Sequence, residues 1–316
     1  IAMIAGPILT QWFNFNNLFL LAAFFSLTAI LLLFSWVPKP KILAWHPETE
    51  PEIKLLFALL KNKDLLRLNI GIFLLHAILT ASFVVIPISL HNFLNLSSHQ
   101  QWTLYVPIFI VAFISSLVFI ALAERKKQIK PYFLGGIIGL AISESLLWLF
   151  AEHRSLVSLG LCGFFTAFSL LEAFLPSLVS RTAPPARKGT AMGLYSCSQF
   201  LGIFMGGVIG GWLYQAHGLT TVYLFCLIIA LLWLVIAYRM NPPRYLMTRV
   251  LNIANFLDNP DQDYTWPEIA TQLQSIPGIA EITYLPKEKL AYLKVERKAL
   301  EHPDFLRIEK ILNLQH

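Results

Sequence analysis

Residues 187–215 read RKGTAMGLYSCSQFLGIFMGGVIGGWLYQ, a basic turn followed by the apolar run that decides the fold of the chain. At a rise of about 1.5 Å per residue, an apolar helix of about 24 residues crosses the hydrocarbon core of a bilayer. The run contains two rows of glycines at every fourth position: Gly202, Gly206 and Gly210, and Gly207 with Gly211. Such rows weaken a helix by themselves but let another helix approach closely. We therefore expect the glycines to pack against a second membrane helix.

The composition is that of an integral membrane protein. The chain has 316 residues, of which 56% are hydrophobic and 13% are charged, and its mean hydropathy is +0.63. Soluble domains carry about 25% charged residues. The three cysteines, Cys162, Cys197 and Cys226, all lie inside apolar runs. We interpret them as packing residues rather than as disulfides or metal ligands.

Seven apolar segments are long enough to span a membrane. We place them at residues 18–37, 68–90, 102–123, 132–150, 156–180, 191–215 and 219–238. The first run, Ile1–Phe13, has only about 13 residues, which is too short to span, and it lacks the basic start of a signal peptide. We interpret it as the back part of a helix and the chain as a fragment of a longer protein.

The basic residues are distributed as expected for a membrane topology. They concentrate in alternate connections, 39–67, 125–130, 181–188 and 239–249, whereas the intervening connections contain only Arg154. By the positive-inside rule, the basic connections and the C-terminus are cytoplasmic. The excess of 24 Lys and Arg over 18 Asp and Glu is therefore topological, and we do not expect nucleic-acid binding. Within the long linker, residues 53–62 predict a short helix on the membrane surface.

The chain becomes soluble in character from Asn241 onward. It predicts a strand at 248–256, a helix that begins at a Thr265–Glu268 capping box and ends at Ser275, strands at 279–285 and 289–296, and a helix at 303–314. This βαββα order is most of a ferredoxin-like domain. The domain has no cysteine, which excludes a Cys-x-x-Cys metal site. We expect it to act in docking, regulation or dimerisation; a passive appendage or a ligand sensor are the alternatives.

Three motifs carry a resemblance to a known family: LLEAFLPSLVSR (170–181), KGTAMGLYSCSQFLG (188–202) and GGVIGGWL (206–213). With the long linker and the small C-terminal domain, they resemble the YajR-type branch of the major facilitator superfamily. The resemblance implies four regions: the end of an N-terminal six-helix half (1–38), a linker (39–67), a C-terminal six-helix half (68–240) and a cytoplasmic ferredoxin-like domain (241–316). It also implies a proton-driven exporter of drug-like solutes in a bacterial inner membrane.

The resemblance further implies a gating loop. In this chain the corresponding residues are Glu124, Arg125, Lys126 and Lys127, which follow Leu122 and Ala123. Ile120 replaces the glycine that usually opens the motif. The match is therefore partial, and it predicts topology more firmly than gating.

Two carboxylates inside the spans are the main candidates for proton coupling. An ionised Glu144 or Glu172 in hydrocarbon would cost at least about 2.5 kcal/mol, so such a group can exchange a proton during transport. The alternative is a protonated carboxyl that fixes helix packing. We favour Glu172 because Pro176, four residues later, can break the helix and admit water.

Other polar and aromatic side chains are candidates for the cavity. His76 is a possible proton carrier, although a membrane histidine can also serve as an interhelical hydrogen bond. Gln199 can line the cavity or bond across helices. Phe73, Phe83, Phe109 and Phe113 can line an apolar substrate pocket, or can instead face lipid or core. We expect no metal and no cofactor.

The leading hypothesis is thus a proton-coupled secondary exporter, with the lipid bilayer, protons and a small molecule as its partners. The second hypothesis is a membrane-tethered sensor or interaction protein that acts through its C-terminal domain, by a regulatory ligand or a dimer contact. The third is an inactive fragment. An enzyme is not favoured, because the sequence has no glycine-rich phosphate loop, metal-ligand cluster or nucleophile–base spacing.

Overall fold

The structure is a computed structural model that describes residues 15–38, 59–97, 100–184, 187–241, 247–253, 265–285 and 289–313. The predicted partial helix at 1–13 lies outside the described residues. The same holds for most of the predicted surface helix at 53–62, of which only 59–62 are described.

Seven long helices account for the predicted spans. They are α1 (Phe15–Trp36), α2 (Lys63–Leu94), α3 (Trp102–Arg125), α4 (Ile129–Leu149), α5 (Arg154–Thr182), α6 (Lys188–His217) and α7 (Leu219–Tyr238). Each is long and apolar enough to cross a membrane. The prediction of a polytopic helical membrane protein is therefore confirmed. Several helices extend past the apolar segments at their ends, because helix propensity does not stop where hydrophobicity does.

The chain divides into two compact units. The first comprises Ile1–Trp45, Asn69–Leu175 and Ser196–Met240, and the second comprises His46–Leu68, Pro176–Tyr195 and Asn241–His316. In the first unit, Trp233 of α7 is 1% exposed and packs edge-on against Phe133 of α4, with 6.0 Å between ring centroids. Gly71 of α2 leaves the space for this indole, since a Cβ there would lie 3.0 Å from its Nε1.

The first glycine row packs α6 directly against the backbone of α2. A Cβ at Gly202 would clash with the Phe73 backbone and a Cβ at Gly206 with that of Ala77. A Cβ at Gly210 would lie 2.8 Å from the Ala81 Cα. This is the close approach that glycines every fourth residue make possible.

The second glycine row behaves differently from the expectation. A Cβ at Gly207 would make an ordinary contact with the Thr80 methyl carbon, at 3.5 Å, and one at Gly211 would meet nothing within 4 Å. The expected packing role is therefore wrong for Gly211. Gly207 therefore lies at the edge of the contact between α2 and α6, and Gly211 lies outside it; the sequence spacing alone could not distinguish the two rows.

Alanine substitutions at Gly206 and Gly211 should have opposite effects on stability. Gly206→Ala forces two backbones apart and should lower the free energy of unfolding by about 1–3 kcal/mol. Gly211→Ala enters open space and should raise it by up to about 1 kcal/mol, because alanine favours the helix. Thermal unfolding of the detergent-solubilised variants measures both. Equal shifts in the two variants would contradict this packing of α2 against α6.

In the second unit, the C-terminal segment forms a three-stranded antiparallel sheet with helices. The elements are β1 (Met247–Asn252), α8 (Trp266–Ser275), β2 (Ile279–Leu285), β3 (Leu290–Val295), a 3₁₀ turn (Arg297–Glu301) and α9 (Pro303–Asn313). The strand order is β1-β3-β2. The predicted order of two helices and three strands is confirmed; the predicted end of the first strand, 254–256, lies outside the described residues.

Local sequence signals account for this segment. The Thr265–Glu268 capping box is present, and the Thr265 backbone N–H donates to Glu268 Oε2 at 2.8 Å. Apolar side chains from α8, α9 and the sheet form a small core, which includes Leu251, Ile269, Leu273, Leu293 and Phe305.

One buried lysine ties β3 to the end of α5 within this same unit. The Lys294 ammonium donates to the backbone carbonyls of Arg181, at 3.3 Å, and Ala183. The carbonyls at a helix C-terminus lack intrahelical partners and carry partial negative charge. Burial lowers the pKa of Lys294, while the Glu281 carboxylate, 3.5 Å from its Nζ, acts in the opposite direction. The lysine thereby anchors the sheet to the carbonyl end of α5.

Replacing Lys294 should loosen this anchor. Lys294→Met keeps the length of the side chain but leaves buried carbonyls unpaired, which costs about 1–3 kcal/mol. We expect faster hydrogen exchange in residues 176–184 and in β3. Arg307→Met removes one charge from an exposed position of α9 and serves as the control; equal exchange in the two variants would contradict the anchor.

Candidate functional site

Three polar side chains from three helices meet in the first unit. Glu172 lies on α5, Gln199 on α6 and His76 on α2. Gln199 Nε2 lies 2.9 Å from His76 Nε2 and donates to Glu172 Oε1 at 3.4 Å. We call these three residues the polar cluster. The close packing of α2 on α6 at Gly202 places His76 and Gln199 within reach of each other.

The contacts of His76 fit one tautomer of the neutral imidazole. His76 Nδ1 lies 3.3 Å from the Ile72 carbonyl, which can only accept, so this nitrogen carries the proton. Nε2 then has a lone pair and accepts from the amide of Gln199. The two N–H groups of one amide thus join a neutral imidazole to a carboxylate. His76 Nε2 also lies 3.8 Å from Glu172 Oε2.

Exposure differs sharply between the two titratable groups. The His76 side chain is 6% exposed and that of Glu172 is 37% exposed. Within the described part of the chain, the buried Glu172 Oε2 atom has no hydrogen-bond partner. The carboxyl group is therefore accessible at one edge and has a free acceptor facing the imidazole. A proton that arrived at His76 Nε2 could be donated to this oxygen.

Aromatic residues of α5 continue the same face toward its N-terminus. Phe168 lies edge-on to His76 at 5.6 Å between ring centroids, and Phe165 lies 4.2 Å from Phe109 and 5.9 Å from Phe83. Phe165 and Phe168 were not among the sequence candidates. Their spacing of seven and four residues before Glu172, which places all three on one helical face, was the signal available.

The remaining phenylalanine candidates lie elsewhere. Phe73 is half-buried, and its backbone is the surface on which Gly202 packs. Phe113 is 60% exposed and is not part of the aromatic group formed by Phe83, Phe109 and Phe165. A phenylalanine on an apolar helix has the same sequence context whether it faces a cavity, the core or lipid.

Glu144 belongs to a different cluster. Its side chain is fully buried in the first unit and accepts a hydrogen bond from Ser82 Oγ at 2.8 Å. Ser82 also lies 3.4 Å from the Cys226 sulfur. These contacts are neutral groups, so an ionised carboxylate here would be uncompensated. The arrangement fits a hydrogen-bonded carboxylic acid between α2, α4 and α7.

Two other expectations concern the helix ends. The expected break at Pro176 is wrong: α5 continues without interruption to Thr182, since Pro176 removes one backbone donor but the following turns remain intact. The predicted loop begins where α3 ends, at Glu124 and Arg125. Lys126 and Lys127 follow it with exposed side chains.

In the described ranges, no group of three or more His, Cys, Asp or Glu could hold a metal ion.

Substitution of Glu144 should test its structural role. Glu144→Gln retains an acceptor for Ser82 and should change stability little, whereas Glu144→Ala leaves a cavity and an unpaired hydroxyl and should cost about 2–4 kcal/mol. Ser145→Ala, at the neighbouring and only partly buried position, is the control. Thermal unfolding measures the differences, and equal stability of the alanine and glutamine variants would exclude the structural role.

Comparisons with known proteins identify the family. The profile of the Major Facilitator Superfamily matches residues 1–166 and 129–258. The chain is 33% identical over 299 residues to the inner membrane transport protein YajR of Escherichia coli, covering 94% of this chain and 64% of that protein. It is 30% identical over 238 residues to an uncharacterized transporter of Buchnera aphidicola subsp. Baizongia pistaciae, covering 74% of this chain and 60% of the relative.

A second Buchnera relative, the uncharacterized transporter BU466 of subsp. Acyrthosiphon pisum, is 33% identical over 213 residues, which is 65% of this chain and 53% of that protein. The chain thus spans between half and two thirds of the length of these relatives. The matches cover the helices that carry the polar cluster as well as the spans predicted from hydropathy. This chain belongs to the Major Facilitator Superfamily of membrane transporters, in its YajR-type branch.

Proposed function

We propose that this chain forms part of a secondary transporter that exports small apolar or cationic solutes in exchange for protons across a bacterial inner membrane. The observation that carries the proposal is the polar cluster, in which one amide joins a partly exposed carboxylate to a buried neutral imidazole. The family and the inner-membrane location of the Escherichia coli relative support it.

Proton transfer would change how three helices are held together. When Glu172 accepts a proton, it loses its charge, and its hydrogen bond with Gln199 weakens from a charge-assisted to a neutral one. When His76 is protonated at Nε2, that nitrogen becomes a donor, can no longer accept from Gln199, and turns toward Glu172 Oε2. Each protonation state therefore favours a different set of bonds among α2, α5 and α6. Rocking of one half against the other requires such a bistable contact.

The aromatic group next to the polar cluster would bind the solute. Phe83, Phe109 and Phe165 offer apolar ring surfaces, and ring faces also attract cations. Glu172 lies on the same face of α5. A cationic solute and a proton would then compete for one carboxylate, which is the simplest way to couple their opposite movements.

The topology of the proposed transporter follows from the basic connections. The positive-inside rule places the connection at 125–130 and the C-terminal segment in the cytoplasm. The order βαββα and the antiparallel β1-β3-β2 sheet support a ferredoxin-like domain in this segment. We assign the domain a regulatory or docking role, because Lys294 connects it to the end of α5, the helix that carries Glu172.

The test is transport by the complete protein that contains this sequence, reconstituted in proteoliposomes with an imposed pH gradient. Glu172→Gln keeps an acceptor for Gln199 but cannot exchange a proton, so proton-coupled export should be lost while the protein remains folded. Glu144→Gln, a matched change in the other cluster, should retain most of the export. Unchanged export by Glu172→Gln would refute the assignment of the coupling site.

The Lys294 contact also supports the second candidate function, a membrane sensor that acts through its C-terminal domain. Deletion of residues 241–316 separates the two. A transporter should retain export with altered rate or regulation, whereas a sensor should lose its output entirely.

A further inference from the structure

An open groove lies among α3, α4 and α5, away from the polar cluster. It encloses about 600 Å³ and is lined by Phe119 of α3, by Tyr132, Gly135 and Gly139 of α4, and by Leu159 and Leu170 of α5, among others. Every lining residue belongs to the first unit and to a membrane-length helix.

Missing side chains create the groove. A Cβ at Gly135 would meet nothing within 4 Å, and one at Gly139 would only reach the Ala167 methyl group, at 3.7 Å. The one hydroxyl of α5 in the lining, that of Thr166, is occupied by the Cys162 carbonyl at 2.8 Å. The groove therefore presents mostly carbon to its occupant.

The dimensions indicate an elongated occupant. Leu159 and Leu170 are eleven residues apart on one continuous helix, which corresponds to about 16 Å along its axis. An apolar groove of that length, along helices that are long and apolar enough to cross a bilayer, matches a single acyl chain. A lipid tail would also replace contacts that the glycines leave unmade.

Charge at one end of the groove identifies the head group. Tyr132 lies in the first turn of α4. That helix is preceded by the exposed Arg125, the last residue of α3, and by the exposed Lys126 and Lys127 of the connection. Residues 124–127 carry three basic groups and one acidic group, which leaves a net charge of +2. The nearby Lys130 is already engaged, because its Nζ donates to the Tyr238 carbonyl at 3.0 Å.

From these observations we infer that the groove is a binding site for an anionic glycerophospholipid. One acyl chain lies against Gly135 and Gly139, and the phosphate lies at Arg125, Lys126 and Lys127. Basic pockets beside membrane helices recognise anionic head groups in this way. The inference does not depend on proton coupling, because its readout is lipid retention and not transport.

The test is native mass spectrometry of the detergent-solubilised protein after incubation with an equimolar mixture of phosphatidylglycerol and phosphatidylcholine of the same chain length. The protein should retain one phosphatidylglycerol in preference to phosphatidylcholine. Since each basic group near an anionic head group changes partitioning roughly fivefold, the double variant Lys126→Gln, Lys127→Gln should reduce the preference roughly 25-fold. Arg154→Gln, which removes one charge at the opposite end of α5, should leave it unchanged.

A matched pair of variants tests the part of the site that binds the acyl chain. A Cβ at Gly135 meets nothing within 4 Å, so Gly135→Leu projects its side chain into the groove and should abolish retention of either lipid there. Gly211→Leu makes the same substitution at a second open position, on α6, and should retain binding. Because neither position contacts backbone, both variants should fold, and thermal unfolding checks this.

Four results would overturn the inference. Equal retention of the two lipids would exclude recognition of an anionic head group. Undiminished phosphatidylglycerol binding by Gly135→Leu would place that lipid outside the groove. Loss of selectivity in Arg154→Gln rather than in the double lysine variant would put the phosphate at the other end of the groove. Absence of any retained lipid, in protein that unfolds normally, would leave a protein segment as the occupant.

Discussion

The close backbone contact between α2 and α6 in the first unit is the constraint on which the geometry of the polar cluster depends. Gly202 lies against the Phe73 backbone, and the next turn of each helix carries a polar residue of the cluster, Gln199 on α6 and His76 on α2. Small residues let the two helices approach closely, and beside this contact the amide and the imidazole lie 2.9 Å apart. The glycine row costs helix propensity and brings α2 and α6 close together beside the polar cluster.

Two glutamates in similar sequence contexts have different surroundings. Glu172 is partly exposed and shares a donor with a histidine, whereas Glu144 is sealed among neutral groups and bonded to Ser82. A carboxyl group that cannot reach water has no route for proton exchange. Its role is then structural, because its hydrogen bond holds neighbouring helices together. Solvent access, more than the presence of an acid in a membrane helix, separates a candidate for coupling from a structural residue.

Glycine serves two opposite purposes in this chain. On α6 it removes a side chain so that α2 can take its place, and at Gly135 of α4 it removes a side chain that no neighbour replaces. The first arrangement gives a tight interface between helices, and the second gives a groove with a basic connection at one end. The neighbouring helix decides which of the two results, because the glycine itself only creates space.

The sequence by itself determined the elements that depend on local physics. The seven apolar helices follow from hydropathy and length, and the capping box at Thr265 follows from a four-residue motif. The order of strands and helices along the C-terminal segment was also predictable from the sequence pattern. The choice of Glu172, His76 and Gln199 as candidates was also possible, because polar residues in apolar helices are costly. The contact between them could not be predicted from the sequence, since His76 and Gln199 are 123 positions apart in the chain. Only the tertiary structure decided that the Gln199 amide contacts both His76 and Glu172, and that Phe165 and Phe168 lie beside them. It also decided that Gly211 faces open space and that α5 continues past Pro176. Each of these depends on which helix lies beside which, and helical periodicity specifies a face without naming the neighbour that covers it.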